Sequence, residues 1–342
     1  MIALLLNLAW GLVVLLSFVA LGRIMARVVR PAGSWDISMA AGWGMAGMVA
    51  LGGWLNLLGV ARASVLMALV LTMVVLDLLY EGRRFLRIVE HAPASPEEPQ
   101  ERGKWIWLVL LALLITIKYA TSLGSHFNIN DDQPAYLLQL SRMLQTGSIG
   151  RDPFSLRQLF SLNGQTFLLG LVGSVSPLKY AFLLDPGICW IMIAGLTWFF
   201  VRRDLGGSIR DSCLATGLVL MTEISNFCRI PFNRGNLTGT VLYLTLLRVA
   251  FWSCGDKGSL NQVSLLLLTC TVAALCALKP TFLMFIEGAK VVWAREMDGA
   301  QNRKLLDYFK DRKSWLVEPD SEIPSLVPYP SMPAMTPSPR ER

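Results

Sequence analysis

Long apolar runs alternate with shorter polar stretches along most of the chain. A helix needs about 20 apolar residues to cross the hydrocarbon core of a bilayer, and several runs reach that length. The pattern therefore predicts an all-α membrane protein, a polytopic helical bundle of about eight transmembrane helices. The predicted spans are residues 1–22, 37–61, 63–80, 105–122, 178–201, 212–224, 237–253 and 263–278, of which the sixth is short.

The polar stretch between the fourth and fifth predicted spans contains two weaker helical signals. Within residues 134–145, Leu137, Leu140 and Leu144 recur at helical spacing, which is typical of a helix that lies along a membrane surface. Residues 166–175 are apolar but too few to cross a bilayer. We expect them to form a re-entrant or interfacial helix.

Composition supports a membrane protein. Hydrophobic residues make up 54% of the chain and charged residues 16%, whereas soluble domains average about 25% charged residues. The formal net charge of +7 would suggest nucleic-acid binding in a soluble protein. Here the basic residues flank apolar segments, and no basic run is interleaved with aromatic residues. We therefore expect membrane lipids as partners, and no nucleic acid.

The distribution of Lys and Arg predicts an orientation, because cytoplasmic loops are enriched in these residues. Alternate loops carry 12 and 6 of them over the same total length. The richer set is 23–36, 81–104, 202–210 and 254–262, and the poorer set is 61–63, 123–164 and 226–236. The poorer set is predicted to lie outside the cytoplasm. Nine further Lys and Arg follow residue 279 and count against this orientation, but long translocated segments are largely exempt from the rule.

The chain after the last predicted span lacks long apolar runs. Its short apolar segments predict strands at 291–294 and 314–319 and an amphipathic helix at 302–312. The proline-rich C-terminus predicts disorder. The predicted organisation is transmembrane helices 1–4 (1–122), an extracytoplasmic loop with interfacial helices (123–177), transmembrane helices 5–8 (178–285), a small extracytoplasmic βαβ-like α/β remnant (286–320) and a disordered tail (321–342).

Several common kinds of site are excluded or disfavoured by residue usage. The six cysteines form no CxxC pair and lie mostly in apolar segments, so we interpret them as small buried hydrophobes. Two histidines are too few for a His-rich metal site. A phosphate-cradling glycine loop, an HExxH motif and a GxSxG motif are all absent from the sequence. These absences argue against an ATP-driven pump and a membrane metalloprotease, and we expect no nucleotide cofactor.

The densest polar cluster of the chain begins with two adjacent carboxylates, Asp131 and Asp132. Neighbouring residues of an extended segment point to opposite sides, so we expect one carboxylate to face a substrate. The other would cap a helix that begins near Pro134. The alternative is that both are solvated cap and turn residues.

Three basic residues are candidates for binding a phosphate at the same side of the membrane. Arg229 and Arg234 flank a short outer loop with Asn233 between them, and Lys279 follows the last predicted span. Charged groups at membrane depth usually face a cavity or a partner. The alternative is that all three reach out to lipid head groups. For Arg248 and Glu223, a structural ion pair between helices is the competing interpretation.

Several segments resemble large bacterial multi-spanning proteins related to the GT-C glycosyltransferases. They are NINDDQPAYLLQLSRMLQTGSIGRDPF, SLNGQTFLLGLV, LLDPG, NRGNLTG and ALKPTF, and the resemblance covers roughly residues 105–285. GT-C enzymes take a sugar from a polyprenyl-phosphate donor outside the cytoplasm, and they carry an acidic residue in their first large outer loop. The resemblance therefore implies a multi-pass glycosyltransferase of the bacterial inner (plasma) membrane, with a polyprenyl-phosphate-linked sugar as its partner.

The resemblance also implies roles for particular residues. Asp131 or Asp132 would be the catalytic general base or would hold a divalent cation, which leaves the metal requirement open. Arg229, Arg234 and Lys279 would neutralise the donor phosphate. The remaining predicted substrate-binding residues are Asn130, Tyr136 and Asn233.

The C-terminal part departs from the resemblance, because such proteins usually carry more helices after the ALKPTF region. We therefore expect a shortened chain, with a segment lost near residues 283–289. This departure motivates a first alternative, a non-catalytic remnant or a membrane subunit that binds a lipid-linked sugar. A second alternative is a small-solute transporter, suggested by the intramembrane charges of Glu223 and Arg248. No inverted repeat supports it.

Overall fold

The computed structural model describes residues 2–29, 35–89, 103–124, 137–150, 163–222, 236–255, 262–278, 307, 315–318 and 325–328. Most of these residues are helical. The chain divides into two compact units, residues 1–289 and 290–342.

The first unit is built from helices. They are α1 (Ile2–Val29), α2 (Ile37–Leu57), α3 (Ala63–Val89), α4 (Lys104–Thr121), α5 (Leu138–Thr146), α6 (Gly164–Gly173), α7 (Cys189–Phe199), α8 (Ile209–Met221), α9 (Asn236–Gly255) and α10 (Gln262–Leu278). Helix α7 is the centre of a longer helical segment, Leu178–Asp204, which contains a π-turn at Leu184–Ile188 and another at Phe200–Asp204.

The apolar pattern of the sequence is confirmed as helical. Four helical segments of the described residues are long and apolar enough to cross a membrane: Ile2–Val29, Ala63–Glu81, Lys104–Gly124 and Leu178–Asp204. Shorter apolar helices are formed by Gly164–Gly173, Leu237–Phe251 and Leu265–Leu278. The structure therefore has the helices of a membrane protein, whereas the predicted number of about eight spans stays a prediction.

Helix α6 corresponds to the apolar segment that was predicted to be too short to span. Nine of its ten residues are buried. Its Phe167 ring lies against Gly52 of α2, and the methyl group of Met143 from α5 lies against Gly170. A helix at a membrane interface would leave one side open to lipid or water, so this enclosure by protein favours the re-entrant interpretation.

Close contact between backbones joins α1 and α2. A Cβ atom added to Gly22 of α1 would overlap the carbonyl group of Ala40, and one added to Gly44 of α2 would overlap the carbonyl oxygen of Phe18. The small residues of α2 therefore let the two helix axes approach more closely than side chains would allow.

The helix bundle of the first unit has two ends. We name each end after a buried carboxylate that lies there, Asp36 or Asp185. At the Asp36 end, Asp36 caps α2 by accepting hydrogen bonds from the backbone N–H groups of Ser38 and Met39. Arg23 of α1 lies 2.7 Å from Asp77 of α3 at the same end.

At the opposite end, which contains Asp185, two hydrogen bonds join elements that are far apart in sequence. The hydroxyl group of Tyr119 in α4 donates a hydrogen bond of 2.6 Å to the carbonyl oxygen of Leu8 in α1. Asn56 at the end of α2 accepts a hydrogen bond of 2.7 Å from the backbone N–H of Ile149, which follows α5. These contacts place the beginning of α1 and the ends of α2, α4 and α5 together.

Helix α8 begins with a reciprocal capping box. The Ser208 hydroxyl accepts a hydrogen bond from the backbone N–H of Asp211, and the Asp211 carboxylate accepts one from the backbone N–H of Ser208. Hydrogen bonds from the hydroxyl and backbone N–H of Ser208 lower the pKa of Asp211, because they stabilise its charged form. The capping box therefore stabilises the start of α8 while Asp211 is ionised, and this stabilisation is lost as the pH falls through the lowered pKa of Asp211.

The second unit contains two short antiparallel strands, β1 (Trp315–Glu318) and β2 (Ser325–Pro328), in a register that pairs Trp315 with Pro328. Strand β1 lies where the second strand was predicted. Strand β2 lies within the tail for which disorder was predicted, and its residues 325–328 pair with β1. Residues 291–294 and most of 302–312 lie outside the described residues, and the βαβ arrangement stays a prediction.

We predict that Gly44→Ala destabilises the protein, because the added methyl group would collide with the backbone of α1. Overpacking of this kind costs about 1–3 kcal/mol, and a rigid carbonyl group cannot move as a side chain does. Thermal unfolding in detergent, followed by circular dichroism, measures the loss.

Gly53→Ala is the matched control on the same helix. Nothing lies within 4 Å of the position of its added methyl group, and alanine favours a helix by about 1 kcal/mol over glycine. Equal unfolding temperatures for the two variants would contradict the close contact between α1 and α2.

Candidate functional site

The residues predicted to carry the chemistry lie outside the described residues. This holds for both members of the catalytic pair and for all predicted substrate-binding residues: Asp131, Asp132, Asn130, Tyr136, Arg229, Asn233, Arg234 and Lys279. Their contacts therefore stay predictions, and the described helix ends that adjoin them carry the structural argument.

Two of those helix ends contact the π-turn that contains Asp185, and the third contacts the start of α6. Ser122, which precedes the segment with the aspartate pair, lies against Gly187, whose added Cβ atom would be 2.8 Å from the Ser122 Oγ atom. Thr238, which follows the segment with Arg229 and Arg234, donates hydrogen bonds to Asp185. Leu278, which precedes Lys279, lies against Gly164 at the start of α6.

Asp185 anchors the first turn of α9 to the π-turn that precedes α7. Its Oδ1 atom accepts hydrogen bonds from the backbone N–H and the hydroxyl group of Thr238, at 2.9 Å and 2.7 Å. The Cys189 sulfur atom lies 3.6 Å from the same hydroxyl oxygen. A carboxylate at a helix start is stabilised by the free N–H groups and the helix dipole. Asp185 therefore has the geometry of a structural anchor.

Two polar side chains at the start of α6 have no partner. Gln165 is 2% exposed and Thr166 is 1% exposed. Neither the amide nitrogen and oxygen of Gln165 nor the hydroxyl group of Thr166 makes a hydrogen bond. A buried polar group without a partner costs about 1–3 kcal/mol, and such groups are uncommon enough to call for an explanation.

The surroundings of this helix start are closely packed. A Cβ atom added to Gly164 would lie 2.9 Å from the carbonyl carbon of Ala277 in α10. Side chains at the start of a helix lean towards its N-terminus, because the Cα–Cβ bonds tilt that way. Gln165 and Thr166 therefore lean towards the free N–H groups of the first turn of α6.

Sequence reasoning did not select Gln165 or Thr166. A signal for Gln165 is present in the sequence, since it is a polar amide near the start of the apolar segment 164–173. Polar residues inside apolar membrane segments are costly and are frequently functional. The missing information was the burial of α6, because on a membrane surface the same amide would be hydrated.

A second buried polar cluster lies at the Asp36 end and is fully paired. Arg248 of α9 donates from Nη2 to Asp36 at 2.7 Å, from Nε to Asp204 at 2.8 Å and from Nη1 to Ser38 at 3.1 Å. Its side chain is 4% exposed. The structural ion-pair interpretation of Arg248 is therefore confirmed, with Asp36 and Asp204 as its partners. Glu223 lies outside the described residues.

Three further ion pairs join α1 to α3. Arg23 and Arg27 both approach Asp77, and Arg27 also pairs with Glu81. The Arg27 guanidinium lies 3.8 Å from the ring centre of Tyr80. These contacts hold the first and third helices together. No cluster of three or more His, Cys, Asp or Glu side chains suited to a metal ion occurs in the described part of the chain.

Comparison of the chain with protein-family models, with curated proteins and with solved structures found no match.

We predict opposite effects for the same substitution at two helix starts. Thr166→Val removes an unpaired buried hydroxyl group and should raise stability by about 1 kcal/mol. Thr238→Val removes a hydrogen bond to the buried Asp185 carboxylate and should lower stability by about 1–3 kcal/mol. Unfolding temperatures of the two variants in one detergent measure the contrast. Destabilisation by both would show that Thr166 has a partner.

We also predict that Arg248→Met strongly destabilises the protein. Loss of the cation leaves the carboxylates of Asp36 and Asp204 buried without their shared partner, which costs about 3–5 kcal/mol. Denaturant titration in detergent measures the change. Arg210→Met is the control, because Arg210 is exposed and surface substitutions change stability by about 0.5 kcal/mol or less. Similar losses for both variants would contradict a structural role for the buried cluster.

Proposed function

We propose that this protein is a GT-C-like membrane glycosyltransferase that transfers a sugar from a polyprenyl-phosphate donor at the extracytoplasmic face of the bacterial inner membrane. The chain would cross the membrane about eight times. The four long apolar helices support a membrane location, and the short apolar helices α9 and α10 would supply two of the further crossings.

The observation that carries the proposal is the meeting of helix ends at the Asp185 end. The described neighbours of two polar segments contact the π-turn that contains Asp185: Ser122 before the aspartate pair and Thr238 after Arg229 and Arg234. Leu278, before Lys279, lies against Gly164 of α6, whose Phe167 contacts Gly52 near the end of α2. Segments attached to one end of a bundle can form one site, whereas segments attached to opposite ends cannot. This arrangement supports a shared site for the candidate base and the candidate phosphate-binding residues.

The distribution of Lys and Arg between the two ends of the bundle supports the same proposal. Loops 23–36 and 202–210, which are rich in Lys and Arg, adjoin the Asp36 end, where Arg203 also donates to the carbonyl oxygen of Trp35. Enrichment in basic residues is typical of cytoplasmic loops. The Asp185 end would then face away from the cytoplasm, as transfer from a lipid-linked donor requires.

In this mechanism, Asp131 or Asp132 accepts the proton of the acceptor hydroxyl group. Alternatively, the carboxylate would hold a divalent cation, which would make that hydroxyl group more acidic. Arg229, Arg234 and Lys279 balance the negative charge that develops on the leaving phosphate. Asn130, Asn233 and Tyr136 would hydrogen-bond the sugar. The transporter alternative loses one of its two motivating residues, because the charge of Arg248 is paired within the protein.

We predict that replacing both Asp131 and Asp132 by Asn abolishes sugar transfer, because loss of a general base lowers rates by about 10²–10⁴-fold. The assay follows labelled sugar from a polyprenyl-phosphate sugar to membrane acceptors, with purified full-length protein in liposomes. Asp152→Asn, a carboxylate change in the same loop, is the control and should keep the wild-type rate.

Undiminished transfer by the double variant would remove this mechanism. Donor binding by the wild type without any transfer would instead favour a non-catalytic subunit that binds lipid-linked sugar. Uptake of a small solute into the liposomes would favour a transporter.

A further inference from the structure

The start of α6 combines two features that are usually found apart. It is a helix N-terminus enclosed by protein, and it carries buried polar side chains without partners. The amide nitrogen and oxygen of Gln165 and the hydroxyl group of Thr166 are all unpaired. The buried charges of Asp185 and Arg248 are hydrogen-bonded, whereas three polar atoms of two adjacent residues lack a partner at the start of α6.

The unpaired groups define the chemistry of what would satisfy them. The Gln165 amide nitrogen, the Thr166 hydroxyl and the free N–H groups of the first turn of α6 are hydrogen-bond donors. Donors at a helix start, together with the positive end of its dipole, suit the oxygens of a phosphate group. Half-helices buried in membrane proteins bind anionic groups of substrates with the same arrangement.

The Gln165 amide oxygen adds a second requirement. It is an acceptor only, so a phosphate group that offers oxygens alone would leave it unpaired. A neighbouring hydroxyl group would supply the missing donor. The two requirements together describe a phosphate ester that also carries free hydroxyl groups.

We propose that the N-terminus of α6 binds a hydroxyl-bearing phosphate ester, with Gln165 contacting both the phosphate and a hydroxyl group and Thr166 contacting the phosphate. Its assignment to the lipid-linked sugar donor rests on the proposed function. A phospholipid head group such as phosphatidylglycerol and a free sugar phosphate share this chemistry. Because these polar atoms are closed to solvent, access for the ligand requires local opening around the start of α6.

The position of α6 fits this role. Gly164 lies against Ala277 and Leu278, so the start of α6 adjoins the end of α10, and Lys279 is the next residue of the chain. A glycine at the first helical position lets the α10 backbone approach the helix start closely. The neutral donors of α6 would thus bind the ester beside the C-terminal end of α10.

The test measures binding of three probes to purified full-length protein by isothermal titration calorimetry. The probes are farnesyl-phosphate-linked glucose, glucose 1-phosphate, and nanodiscs containing phosphatidylglycerol, with phosphatidylcholine nanodiscs as the blank. Gln165→Met keeps the length of the side chain but removes its donor and acceptor. We expect it to weaken binding by about tenfold or more, which corresponds to the loss of one or two hydrogen bonds.

Gln145→Met is the matched control. Gln145 is an exposed glutamine on α5, and its variant should bind every probe as the wild type does. Thr166→Val provides a second variant, expected to weaken binding while its unfolding temperature without ligand stays equal or rises. A folded protein with weaker binding separates a ligand role from a structural one.

The outcomes separate this inference from the proposed function. Selective loss of farnesyl-phosphate-linked glucose binding supports both. Loss confined to glucose 1-phosphate or phosphatidylglycerol supports the site at α6 but removes its assignment to the sugar donor. Wild-type affinity of Gln165→Met for all probes, or no binding by the wild type, overturns the inference. The transfer assay with the aspartate variants would still decide the proposed function.

Discussion

The hydrogen-bonded ion pairs of Arg248 hold together three parts of the chain that lie far apart in sequence. The guanidinium of α9 binds Asp36 at the start of α2 and Asp204 at the end of the segment that contains α7. In an apolar interior, none of these charges can be left alone without a cost comparable to much of the stability of a domain. The relative positions of the three elements at this end are therefore set by one side chain.

The same constraint acts at the other end of the helices. Asp185 is satisfied by the first turn of α9, so α9 is held by a polar contact at each of its ends. Between these contacts, the buried Val241 and Leu242 of α9 pack in the apolar core. The start of α6 differs from both ends of α9, since three polar atoms of the adjacent residues Gln165 and Thr166 are enclosed there without a partner. The pairing of the buried charges of Asp185 and Arg248 makes this concentration of unpaired atoms informative.

The helices themselves could be predicted from sequence, because apolar runs and their polar borders are local properties. The predicted span 178–201 matches the described segment Leu178–Asp204 closely. The partners of Arg248 could not be predicted, since pairing with Asp36 joins residues 212 positions apart. Nor could the burial of Gln165, which depends on how α2, α5 and α10 surround α6. Asp131 and the other predicted site residues lie outside the described residues. Their roles therefore stay predictions.

The pairing of Arg248 also has a consequence for biogenesis. Translation proceeds from the N-terminus, so the ribosome produces Asp36 and Asp204 long before the arginine that neutralises them. During synthesis, these carboxylates have to remain hydrated or be shielded by the insertion machinery. The Asp36 end of the bundle can therefore close only after α9 has been synthesised. A late helix thus completes the assembly of the earliest ones.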